Sequence, residues 1–102
     1  MKVDLSVEAR NYDGKPLVEH NGAVIKLNEA IANNLAISEG KDQAILKYNL
    51  GTKLYSAKGP IDITEAEEAL IRDVANNLVA IVSAQIQIIL NDAKALANSN
   101  AK

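Results

Sequence analysis

The residues able to do chemistry are few and scattered. His20 is the only histidine of the 102 residues. As a general base it would need a nucleophile and an orienting partner, and as a metal ligand it would need companions. Glu19 is adjacent, but on a strand the two side chains point to opposite faces. A histidine exposed at a strand end or in a loop accounts for it without a site. Asp62, Glu65, Glu67, Glu68 and Asp73 form the densest acidic group. Their spacing matches no calcium loop of the type D-x-D-x-D-G closed by a glutamate. Carboxylates gathered at a helix start explain them without a cation. No metal and no cofactor is expected.

Phosphate chemistry finds no better footing. Gly14, Gly22, Gly40, Gly51 and Gly59 stand singly, so no glycine-rich phosphate loop exists. Lys41, Lys47, Lys53 and Lys58 recur at a spacing that winds around a helix and makes no basic stripe. The formal net charge is −2, which disfavours phosphate backbones and acidic membrane surfaces. There is no cysteine, phenylalanine or tryptophan, and three tyrosines are the only aromatics. Base stacking contributes about 1–3 kcal/mol per base, yet Tyr48 and Tyr55 share a helical ridge with Ile45 that reads as core. Disulfides, thiolate metal sites and cysteine catalysis are ruled out by composition. The chain is therefore not expected to be an enzyme, nor a nucleic-acid binder acting alone.

What remains is architecture, and it centres on residues 60–97. Thr64 precedes Glu67 by three residues, the spacing of a capping box. Glu65, Glu67 and Glu68 place negative charge at the positive end of the helix dipole. Apolar positions then run through Ile71, Val74, Ala75, Leu78, Val82, Ile86, Ile89, Ala93 and Leu96, in steps of three and four that keep one face in line. Asn76-Asn77 is the one plausible break. The face keeps its phase across it, so a single helix of roughly 33 residues and ~50 Å is expected.

The segment Leu78 to Leu90 is uncharged and apolar over about 200° of its helical wheel, more than an ordinary surface helix buries. Left in water it would form a patch that soluble monomers rarely carry. Leu78, Ile81, Val82, Gln85, Ile86, Ile88 and Ile89 are read as an oligomer interface, giving a homodimer or higher assembly. The rival readings are a central core helix of a monomer and a membrane span. The uncharged run is too short for the span and is interrupted by Asn76, Asn77, Ser83, Gln85 and Gln87.

Upstream, residues 3–9 alternate as a half-buried strand, with Val3, Leu5, Val7 and Ala9 on one face. Asn11 to Gly14 and Asn21-Gly22 read as turns flanking a return strand at residues 16–20. A third strand at residues 23–27 would make a short meander. Asn28 can cap a helix from Glu29 to Ala36. Ser38-Glu39-Gly40 would link it to a second helix, Lys41 to Ala57, ended by Gly59-Pro60. That helix shows two ridges, Ile45–Tyr48–Thr52–Tyr55 and Leu46–Leu50–Leu54, and Gly51 suggests a close helix crossing. The polar tail 98–102 is expected to fray, and MKVDLSVEAR does not read as a signal peptide. The fold class is α+β: one small domain with an N-terminal β-hairpin or short meander, then three helices, the last long and self-associating.

The order of features resembles a family. A D-G-K-P turn (Asp13 to Pro16) is followed by L-N-E-A (Leu27 to Ala30). Then come K-Y-N-L-G-x-K-L-Y (Lys47 to Tyr55) and I-D-I-T-E-A-E (Ile61 to Glu67). Over residues 12–75 this resembles small uncharacterised proteins of tailed bacteriophages and prophages. The resemblance brings no catalytic residues. It implies a non-enzymatic phage-type accessory or assembly-related protein in the cytoplasm of a bacterial host, with an unidentified protein partner. The alternatives are a nucleic-acid-associated phage regulator whose site requires the oligomer, and a small enzyme whose site forms between subunits.

Overall fold

The computed structural model describes residues 1–38 and 43–100, the side chains of the last two excepted. The elements in order are β1 (Lys2–Val3), α1 (Leu27–Ile37), α2 (Ala44–Tyr55), β2 (Ile61–Asp62), α3 (Glu65–Ala75) and α4 (Ala80–Asn100). The α+β class stands and the chain is mostly helical, with a fourth helix where three are expected. The expected linker at Glu39 and Gly40, the helix start at Lys41 and the end of the tail at Ala101 and Lys102 lie outside the described residues.

The expected meander is replaced by a closed arrangement of three short segments. Ala9 N–H donates to Ile25 C=O (2.8 Å), Ile25 N–H to Leu17 C=O (2.9 Å) and Leu17 N–H to Ala9 C=O (2.8 Å). Each segment thus meets both others at single bridges, Glu8↔Lys26, Arg10↔Pro16 and Val18↔Val24. Segments that close on one another in this way cannot lie side by side long enough to form a ladder. The turns themselves fall where expected, with Gly14 at φ +81° and Gly22 at φ +84°, values an L-residue rarely adopts. The true sheet joins distant parts of the chain: β1 pairs antiparallel with β2, Lys2↔Asp62 and Val3↔Ile61. Val3, Leu5 and Ala9 turn into the core, whereas Val7 is 40 % exposed.

Helix α1 begins before Asn28, with Lys26 as an N-cap that contributes no side-chain bond. Asn28 is not a cap of its own helix. It is buried, and its Nδ2 donates to Leu54 C=O (2.8 Å) and Ala57 C=O (3.5 Å). Those carbonyls lie in the last turn of α2 and just beyond it, so one amide ties the start of α1 to the end of α2. Leu50 and Leu54 of α2 are fully buried, but Ile45, Tyr48 and Tyr55 are 78 %, 74 % and 64 % exposed. The expected packing of α2 on two sides is therefore half right, and Tyr48 and Tyr55 are not core residues. A Cβ built on Gly51 meets nothing within 4 Å, so no helix crosses there.

The capping box is as the sequence predicts: Glu67 N–H donates to Thr64 Oγ1 (3.1 Å) and Thr64 N–H to Glu67 Oε1 (2.9 Å). Thr64→Ala should cost about 1 kcal/mol, read as a lowered urea midpoint. Coinciding midpoints would show that Thr64 does not start the helix.

The single long helix does not form. Helix α3 stops at Ala75 and α4 starts at Ala80, folding back so that Lys94 Nζ stands 3.6 Å from Glu68 Oε2. At the break, Asn77 Nδ2 donates to Asp73 C=O (3.1 Å), the acceptor that the Asn77 backbone N–H would use in a continuous helix. Folding back lets Val82, Ile86 and Leu90 join Leu5, Leu27 and Ile71 in one core. Burying three such side chains at roughly 1.5–3 kcal/mol each outweighs the few helical bonds lost at the break. Helix α4 runs on to Asn100, through the first residues of the tail expected to fray.

Candidate functional site

Two polar clusters and one apolar groove are the features with functional potential. The acidic group of the α3 start is spent on structure. Glu67 accepts from Lys53 Nζ at both carboxylate oxygens (3.0 and 3.1 Å) as well as from the Thr64 N–H. Burial pushes its carboxyl up, but the Thr64 backbone bond and the Lys53 ammonium together hold it below the usual carboxylate range. Glu68 is likewise lowered, first by its 2.8 Å bond from Arg72 Nε, against burial, and further by Lys94. Asp62, Glu65 and Asp73 are exposed. Among the described residues, no group of three or more His, Cys, Asp or Glu could hold a metal ion.

Both glutamates are depressed in the fold, so the folded state favours their ionised forms. Their stabilisation is complete above the unfolded glutamate value, about 4.3, and is lost as pH falls through the lower folded values. The urea midpoint should therefore drop between about pH 5 and pH 3. Lys53→Met should make that drop shallower, and equal slopes in parent and variant would contradict the pairing.

His20 is exposed in the turn before Asn21. The second polar cluster is a clamp. Gln85 Oε1 accepts from Arg10 N–H and Gln85 Nε2 donates to Arg10 C=O, both at 2.7 Å. The side-chain amide acts as a strand partner, fastening α4 to the N-terminal segments. A glutamine among the polar residues of α4 gives no sequence signal for this role.

The residues expected to form an oligomer interface are mostly turned inward. Val82 and Ile86 are 4 % and 0 % exposed inside the chain's own core, and Leu78, Ile81, Gln85 and Ile89 are half-buried against it. Ile88 alone among them is exposed. The wide apolar arc of α4 is thus explained largely by folding back over the core. The monomeric core helix, the rival reading, describes Val82 and Ile86 better.

Unpartnered apolar surface lies elsewhere, between α1 and α2. A groove of about 570 Å³ opens there. Its lining includes the small residues Ala32, Ala36 and Gly51 and the rings of Tyr48 and Tyr55. Ile37, at the end of α1, is 85 % exposed, and Ile45 of α2 is 78 % exposed. Small residues beside uncovered tyrosines put a hollow and knobs in one groove. Tyrosine is enriched at the buried centres of protein contacts. The sequence shows both ridges of α2 but cannot say which one the core takes.

No protein-family model matches the chain, and neither curated proteins nor solved structures give a match. Among the described residues, no helix is long and apolar enough to cross a membrane.

Proposed function

We propose that this chain is a non-enzymatic accessory protein of the phage type, working through protein–protein contacts and self-association in a bacterial host. The groove between α1 and α2, with Tyr48 and Tyr55 uncovered on it, is the observation that supports the protein–protein contact in this reading. The occupant proposed is a second copy. Hollow and knob stand on the same side, so a two-fold axis seats one copy's tyrosines over the other's Gly51, an isologous contact.

Gly51 gives a test, because a Cβ added there meets nothing within 4 Å. Gly51→Ala should raise stability by about 1 kcal/mol through helix propensity. Gly51→Leu puts a larger side chain into the hollow and should lower the mass that light scattering gives at micromolar concentration by the part that groove contact contributes. A parent that already shows one subunit mass, or a Gly51→Leu variant that associates as the parent does, contradicts the proposal.

A further inference from the structure

The turn between α3 and α4 has the properties of a hinge. No glycine or proline occurs between Thr64 and Asn100, so nothing covalent forbids one continuous helix. Asn76 stays in the right-handed region (φ −64°, ψ −18°), and none of residues 76–79 has positive φ. The backbone keeps winding through tighter bonds, Asn77 N–H to Val74 C=O (2.9 Å) and Leu78 N–H to Ala75 C=O (3.1 Å). These are three-residue spacings, as in a 3₁₀ turn. The Asn77 side chain holds the Asp73 carbonyl at 3.1 Å and stands in for the helical bond that straightening would form. Both asparagines are exposed, so neither is tied into the core.

The apolar face also keeps its phase across the break. Ile71, Ala75, Leu78, Val82, Ile86 and Ile89 fall on one side of a straight helix as well as of the bent pair. In a straight helix those α4 residues leave their own core and need another surface. The matching surface is the identical one that a second copy vacates. A short hinge joining an element to an otherwise complete core is the usual setting for such exchange.

We propose that α3 and α4 straighten at residues 76–79 and that two copies exchange α4. Val82, Ile86 and Leu90 then fill the partner's core, and Lys94 meets the partner's Glu68. The residues read from sequence as an interface would serve as one in trans. Exchange and contact through the groove are independent, and either can occur without the other.

The chain has no cysteine, so labels at Ala69→Cys and Ala95→Cys, both exposed, are selective. In the bent form the two positions lie beside the Glu68–Lys94 pair, whereas along a straight helix they stand about 39 Å apart. Full-length doubly labelled chain is mixed with excess unlabelled chain, refolded, and read by pulsed dipolar spectroscopy. The expected result is a fraction near 39 Å that elutes at dimer mass. Asn76→Ala and Asn77→Ala should raise that fraction roughly threefold each through helix propensity, and Asn77→Gly should lower it. Short distances alone in a dimeric parent and in both alanine variants would overturn exchange while leaving the groove contact intact. A long distance at single-subunit mass would overturn it too, since that is opening without a partner.

Discussion

Ile86→Ala is expected to destabilise the chain by about 2–5 kcal/mol, whereas Ile88→Ala, two residues on, should stay within about 0.5 kcal/mol. Ile86 is 0 % exposed and belongs to the same core as Leu5, Leu27 and Ile71, so truncation leaves a cavity. Ile88 is 57 % exposed on the opposite side of the same helix. Denaturant unfolding of both variants in dilute solution measures the contrast. Equal losses would mean that α4 does not turn these faces as described. The pair also separates folding from assembly, because a surface contact through Ile88 would show only in concentration dependence.

Asn28→Asp should cost on the order of 3 kcal/mol at neutral pH, more than the 1–3 kcal/mol expected of Asn28→Ala. The amide donates to two carbonyls at the end of α2 from a position that is 2 % exposed. A carboxylate there loses the donor and faces the same carbonyls as an uncompensated buried charge. Protonation restores neutrality, so the gap between Asn28→Asp and Asn28→Ala should narrow as pH falls through the carboxylate range. Urea midpoints at two pH values test this. A gap that does not depend on pH would show that the side chain escapes to solvent.

Some elements were plain in the sequence and others were not, for physical reasons. The capping box at Thr64 and Glu67 is local chemistry, set by residues three apart, and the structure reproduces it. The glycine turns at Gly14 and Gly22 are local in the same sense. The break at Asn76-Asn77 is not local. Phase continuity favours one helix, and only the gain from burying Val82, Ile86 and Leu90 against a distant core reverses it. Asn28 misleads in a similar way. Its type and place suit an N-cap, but tertiary contact with α2 claims the amide. For α2, two apolar ridges were legible, yet which one faces the core depends on where α1 and α3 lie. Tyr48 and Tyr55 therefore became surface residues, and the groove could not be read from sequence at all.

The fold leaves these two tyrosines as reporters of the proposed contact, since the chain lacks tryptophan and phenylalanine. With Tyr12→Phe, every tyrosine signal comes from the rim of the groove. Acrylamide quenching of that fluorescence, followed from dilute to high micromolar concentration, tests self-association through the groove most directly. The quenching constant should fall as subunits associate, and Gly51→Leu should abolish the fall. Quenching that stays constant while the light-scattering mass rises would place the contact elsewhere and contradict the groove as the working surface.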